Sequence, residues 1–197
     1  LLAGEIQPAV KLELINAADN FGSDALAQLL TEYEAGKDRD DPLQVYAESL
    51  AGGDPDAGMA LFRYNSTAQC VRCHVVGTRG SRVGPELTHI GQQLTEEQLL
   101  EAMVDPGARI APGFGRISVT LTDGSSVEGL FAAESDTELT IETNDGKSVK
   151  VARADIAKQT NSPSGMPPMG LLLDKTQLRD LVAYLSNLDG AEAPESH

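Results

Sequence analysis

One run of five residues constrains this chain more than any other: Cys70-Val71-Arg72-Cys73-His74. Two thiols three positions apart, followed at once by an imidazole, form the C-x-x-C-H pattern of c-type haem attachment. Each residue suits the job chemically. The thiols are spaced to add across the two vinyl groups of one porphyrin, and the His is then held under the iron as proximal ligand. Other uses of paired thiols fit less well. A zinc site wants further Cys or His at similar spacing, whereas the chain has 2 Cys and 3 His in all. A thioredoxin-like dithiol sits in a βαβ context, which is not found around residue 70. With both Cys used by a haem, no structural disulfide is left to form.

Composition narrows the rest. Aromatics make up 4% of the chain and Trp is absent, so the core must come from Leu, Val, Ile and Ala together with the porphyrin. The net charge of −15 argues against a nucleic-acid partner, which needs a basic face. That charge is uneven: residues 1–58 carry 3 basic and 12 acidic side chains, whereas residues 59–111 carry 5 of each. Arg63, Arg72, Arg79 and Arg82 lie close to the motif, where one or two of them are candidates to pair with haem propionates through a bidentate fork. No apolar run approaches the roughly 20 residues that a membrane span needs. Leu1-Leu2-Ala3-Gly4 passes directly into Glu5 with no basic n-region, so no signal peptide is read there. The expectation is a mature product or a piece of something longer.

Along the chain, residues 9–50 read as two or three short amphipathic helices broken by the polar run 36–42. They resemble the end of a helical-repeat array or a cap on the next domain, with no chemistry of their own. Asp54-Pro55 opens a further helix, with Asp as N-cap and Pro at the first helical position. Gly58 and Phe62 share one face of it, and the Gly implies close approach by another helix. After the motif come a glycine-rich loop at 77–81, a rigid Gly84-Pro85-Glu86-Leu87 turn and a Thr95–Gln98 capping box. From residue 116 the hydrophobic period falls to two. Runs at 117–121, 127–133, 139–143 and 149–151, with a fifth starting near 155, alternate with Asp-Gly and Asn-Asp-Gly turns. Five short strands over about 45 residues predict a small SH3- or Sm-like barrel, read as an embellishment or docking surface. A last helix, capped by Asp174, carries the apolar stripe Leu178, Leu181, Val182, Leu185 and Leu188.

These features together resemble a class I cytochrome c with a β insertion. In that family an N-terminal helix with a Gly/aromatic face crosses the C-terminal helix, as Gly58, Phe62 and the run Leu181-Val182-Ala183-Tyr184-Leu185 would do here. The Gly84-Pro85-Glu86-Leu87 turn matches the segment whose Pro backs the proximal His, and Met166-Pro167 matches the loop that supplies the sixth ligand. The whole chain is similar to a narrower family, the haem-binding C-terminal domains of large exported proteins in planctomycetes and verrucomicrobia. The shared pattern is Gly52-Gly53-Asp54, Gly113-Phe114, the Asp-Gly hairpins, Met166 to Gly170 and Leu178-Arg179-Asp180-Leu181. In that family the domain often follows helical repeats and a propeller-type dehydrogenase.

The resemblance implies an α+β chain: a mainly α class I cytochrome c fold with an inserted small SH3/Sm-like β-barrel and an N-terminal helical segment. The implied divisions are 1–52 for the helical segment, 53–111 and 161–190 for the haem domain, 112–160 for the barrel and 191–197 for a disordered tail. One haem c would be held by Cys70 and Cys73, with Pro85, Leu87 and Pro167 against it and His74 and Met166 on the iron. Met169 and His89 are the competing sixth ligands, an open iron is the remaining choice, and His197 lies in the tail. Met/His coordination saturates the iron and raises its potential, which suits outer-sphere electron transfer. An open site suits gas or peroxide chemistry instead. The expectation is a one-electron carrier, not itself an enzyme, serving a fused or associated dehydrogenase or another redox protein. It would work in the periplasm or an equivalent exported compartment, where thioether attachment takes place. The rival expectations are a haem-based gas sensor and a partner-binding module with a structural haem.

Overall fold

A computed structural model describes residues 6–190. The expected tail at 191–197, with His197, lies outside the described residues. The chain forms two compact units, one built from the residues up to Val104 and those from Pro168 onward, the other from Asp105–Pro167.

In the helical unit α1 (Pro8–Phe21) starts where Pro8 loses no helical hydrogen bond and stops where Gly22 turns left-handed at φ 69°. It pairs with α2 (Asp24–Ala35). Among the residues of these two helices, Leu12 alone is buried, so their hold on the unit is mostly polar. A short α3 (Pro42–Val45) and a 3-10 turn (Ala47–Leu50) bring Glu48 inside. There the Glu48 carboxylate takes Nζ of Lys37 at 2.9 Å and of Lys175 at 2.8 Å, together with the Tyr33 hydroxyl. Arg179, itself buried, pairs with Glu13 of α1, and Ser49 Oγ donates to the Lys175 carbonyl at 2.8 Å.

The centre of this unit is the crossing of α4 (Pro55–Tyr64) with α7 (Lys175–Ser186). Asp54 caps α4 by accepting the Asp56 and Ala57 N–H groups at 2.9 and 3.2 Å. Asp174 and Gln177 form a reciprocal capping box on α7. A Cβ on Gly58 would lie 1.9 Å from the Asp180 carbonyl oxygen, so the backbones meet where only glycine fits. One turn on, the Phe62 and Tyr184 rings lie 5.7 Å apart. Leu178, Leu181, Val182 and Leu185 fill the buried face of α7. Between the two long-range partners come β1 (Val75–Val76), β2 (Arg79–Gly80), α5 (Ile90–Gln93) and α6 (Glu96–Val104). The last is opened by Thr95 and Gln98 bonding each other's backbone N–H.

The other unit is one antiparallel sheet of β3 (Arg116–Leu121), β4 (Ser126–Glu134), β5 (Glu138–Thr143), β6 (Ser148–Ala152) and β7 (Ile156–Asn161), in the order β6-β5-β4-β3-β7. Alternation places Ile117, Val119, Phe131, Leu139, Ile141 and Val151 on the buried face, joined by Ile110. Register shifts at Thr120/Leu121 and Phe131/Ala133 bend it. The bend is required by the connection. In a flat sheet β6 and β7 would stand about 19 Å apart, yet the three-residue turn Arg153–Asp155 joins them, and that length of chain reaches about 14 Å at most.

This corrects the expected fold class. The strands fall where the alternation puts them, but no ladder joins β6 to β7, so the sheet is curled and open and no barrel closes. The described chain is about 42% helical beside that sheet, with seven α-helices, so the mainly α class I cytochrome fold with a barrel insertion is not what it forms. The physical reason lies at the turn 153–155: the Arg153 N–H donates to the Thr137 carbonyl at 2.8 Å and the Asp155 carbonyl accepts the Thr122 N–H at 2.9 Å, so these groups bond beside β5 and β3 and not across the seam.

Candidate functional site

The C-x-x-C-H run begins where α4 ends. Asn65 stops the helix, its Oδ1 accepting the N–H groups of Thr67 and Ala68 at 2.9 and 2.8 Å. Gln69 then takes a left-handed conformation at φ 50° and reverses the chain into a 3-10 turn, Cys70–Arg72. The Cys70 carbonyl accepts both the Cys73 N–H at 3.1 Å and the His74 N–H at 2.9 Å. Both thiols and the imidazole therefore issue from one tight, doubly bonded turn. Cys73 is exposed and Cys70 half-buried, both as free thiols, and burial pushes the Cys70 thiol up.

His74 is held from behind. Its Nδ1 lies 2.9 Å from the Pro85 carbonyl oxygen. A carbonyl only accepts, so Nδ1 carries the proton and the ring's lone pair is on Nε2. The Gly84 N–H donates to the Cys73 carbonyl at 2.6 Å, and a Cβ on Gly84 would lie 2.9 Å from His74 Cε1. Gly80, at φ 112°, meets the His74 carbonyl more closely still: a Cβ there would sit 2.0 Å from that oxygen. The glycine-rich stretch expected to be a loose loop is thus a small hairpin, β1 against β2. Leu87 ties the following turn to it by donating its N–H to the Val75 carbonyl at 2.9 Å, and Gly77 N–H donates to Thr88 Oγ1 at 2.9 Å. Pro85 and Leu87 thus act through their backbones in shaping the seat of His74.

The remaining candidates separate. Met166 is half-buried, its N–H donated to Ser164 Oγ at 3.1 Å, and Pro167 is exposed. Both are the last residues of the sheet unit in chain order. Met169 lies in the 3-10 turn Met169–Leu171, which packs on α6 and α7, and is buried among them. That is the role of a core side chain. His89 Nδ1 is 3.3 Å from the Asp189 carbonyl oxygen, and a Cβ on Gly190 would fall 1.9 Å from the His89 ring. His89 is therefore committed to the chain just past α7. Arg82 pairs with Glu86 at 3.1 Å on the surface, and Arg72 donates to Gln69 Oε1 at 2.6 Å.

Gln69 and Tyr46 were not singled out by the sequence. The Tyr46 hydroxyl donates to the Gly170 carbonyl at 3.0 Å, and its ring occupies the space a Gly170 side chain would need. The one sequence signal for that contact is the glycine directly after Met169. For Gln69 there is none, since a left-handed Gln is chosen by its tertiary partners.

Among the described residues no three His, Cys, Asp or Glu side chains converge as a metal-holding cluster, so the two thiols are not part of a preassembled tetrahedral set. Compared with known proteins, the chain matches no family model and no curated protein. No helix among the described residues is long and apolar enough to cross a membrane.

Proposed function

We propose that this chain is a one-haem electron-transfer module, its haem bonded to Cys70 and Cys73 and its iron held by His74 and, as sixth ligand, Met166. The observation that carries the reading is the turn itself: two free thiols and an imidazole leave one 3-10 turn, and the Pro85 carbonyl fixes the imidazole tautomer that leaves Nε2 to coordinate. Each thiol adds S–H across one vinyl group, forming one C–S and one C–H bond, with no leaving group and no net oxidation. A haem bound here supplies a one-electron iron couple, whose potential a Met sixth ligand raises.

The protein's own residues do the rest. Donation from His74 Nδ1 to Pro85 orients the ring and fixes the tautomer that presents Nε2. Gly84 keeps that ring seated, since any side chain there would displace it. Val83, next in sequence to Gly84, is 71% exposed and offers apolar surface to a porphyrin. Met169 is buried in the core and His89 is held at the end of α7; Met166 is proposed as sixth ligand on the Met-Pro pattern of the cytochrome resemblance. Thioether attachment takes place outside the cytoplasm, which supports the periplasm or an equivalent exported compartment as the proposed place of work. A fused or associated dehydrogenase is the proposed source of electrons, and the module relays them without transforming a substrate.

The test is to produce the full chain alongside a c-type maturation system and weigh it intact. Wild type gains the mass of one haem, retained after denaturation, and Cys70→Ala and Cys73→Ala each keep a single thioether. A wild type that emerges with no covalent haem refutes the reading.

A further inference from the structure

Among the described residues Gln69 is the one non-glycine with a positive φ, 50°, and it immediately precedes the first attachment cysteine. An L side chain is strained in that conformation, and such strain persists only where surrounding interactions over-determine it. Here they come from the same side chain. Gln69 Nε2 donates to the Ser66 carbonyl at 2.7 Å, and Gln69 Oε1 accepts from Arg72 Nη1 at 2.6 Å. The backbone runs the same way: Gln69 N–H donates to the Asn65 carbonyl at 3.1 Å, and the Arg72 N–H to the Gln69 carbonyl at 2.9 Å. One amide thus spans the reversal, joining the turn before it to the turn that carries both thiols.

We propose that the Gln69–Arg72 pair is a positioning clip that sets the direction of Cys70 relative to Cys73, so that both thiols reach the two vinyl groups of the same haem. The proposal rests on the haem reading above and extends it to the two residues that aim its attachment. The chain enters Cys70 from a conformation that most residues leave readily, so the first thiol's direction depends on holding Gln69 in it. Cys73 depends less on Gln69, because its N–H is already bound to the Cys70 carbonyl. Loss of the clip therefore affects the first thioether more than the second. The covalent step is unchanged: one S–H adds across one C=C at each site and nothing is released.

The experiment compares wild type with Gln69→Ala, which keeps the strain and removes the amide, Gln69→Gly, which removes both, and Arg72→Ala. All are matured with haem in the same host. The readouts are the thioether count by peptide mass and the α-band of the alkaline pyridine haemochrome, which lies at longer wavelength when a vinyl group survives. Gln69→Ala is expected to raise the singly attached fraction, bonded through Cys73, about fivefold over wild type. Arg72→Ala should do the same in part, and Gly at 69 should fall between. A merely structural role would lower yield without changing the ratio of one to two thioethers. Two thioethers in Gln69→Ala at the wild-type ratio would overturn the clip, while a wild type without covalent haem would bring down the parent reading and the clip with it. The two failures are told apart by which protein shows them.

Discussion

Replacing Glu48 by Gln removes one negative charge from inside the helical unit and leaves its shape nearly unchanged. The Glu48 side chain is 0% exposed and faces two ammonium groups, at 2.9 and 2.8 Å. Burial alone would raise its pKa, but Lys175, Tyr33 and Lys37 outweigh it and hold the carboxyl at about 2, against an ordinary 4.5. Burial and the same carboxylate push the Tyr33 hydroxyl up, so it stays a donor. Because the folded value lies below the unfolded one, the stabilisation is complete above pH 4.5 and is lost as pH falls toward 2. A gap of that size corresponds to about 3 kcal/mol at pH 7 and about 1 kcal/mol near pH 2.5. Glu34 also reaches both lysines, at 2.9 and 3.1 Å, but is 40% exposed, so it offsets only part of the loss. We expect Glu48→Gln to cost about 2–3 kcal/mol at neutral pH. For a chain of this size that lowers Tm by about 5–10 °C. Thermal unfolding followed by circular dichroism at pH 7 and pH 2.5 measures both. A variant within about 0.5 kcal/mol of wild type at pH 7, or a difference that does not narrow in acid, would refute the reasoning.

Three further substitutions probe separate parts of the account. Gly58→Ala places a methyl 1.9 Å from the Asp180 carbonyl, where backbone cannot yield, and should cost about 3 kcal/mol in urea unfolding, the upper range for overpacking. Gly84→Ala sets a Cβ 2.9 Å from the His74 ring, so the haem-loaded protein should show a larger high-spin ferric fraction by electron paramagnetic resonance. An unchanged spectrum would mean that Gly84 does not seat the ligand. In the sheet unit Ile141 is 0% exposed, and Ile141→Ala should cost about 2–5 kcal/mol in the transition of that unit.

The strands were legible because one face of each is buried, and a period of two in Ile117, Val119 and Leu121 has no other cheap explanation. Closure was not legible. Whether β6 and β7 pair depends on where the turn Arg153–Asp155 delivers the chain, and no residue pattern encodes that. The caps on α4, α6 and α7 could be read directly, since Asp54, Thr95 and Asp174 act on N–H groups within three residues. Glu48 could not. It looks like a surface acid in a short polar helix, and its partner Lys175 is 127 residues away. The helices of residues 9–50 therefore read as an appendage without chemistry, whereas they are tied to α7 by buried charge. At the site, the motif and its Gly-Pro turn stood out because their residue types and spacing match the pattern of haem attachment. Gln69 did not, because a left-handed conformation at a residue other than glycine comes from its hydrogen-bond partners.

The most direct test of the account is the absorption spectrum of the ferric and ferrous protein, with and without CO, for wild type and Met166→Ala. The wild type should be low-spin, with a Met–iron charge-transfer band and slow or absent CO binding, and the band should be lost in the variant. A wild type that is high-spin or binds CO rapidly, and is unchanged by the substitution, would contradict electron transfer by a Met-ligated haem and leave an open haem suited to ligand sensing.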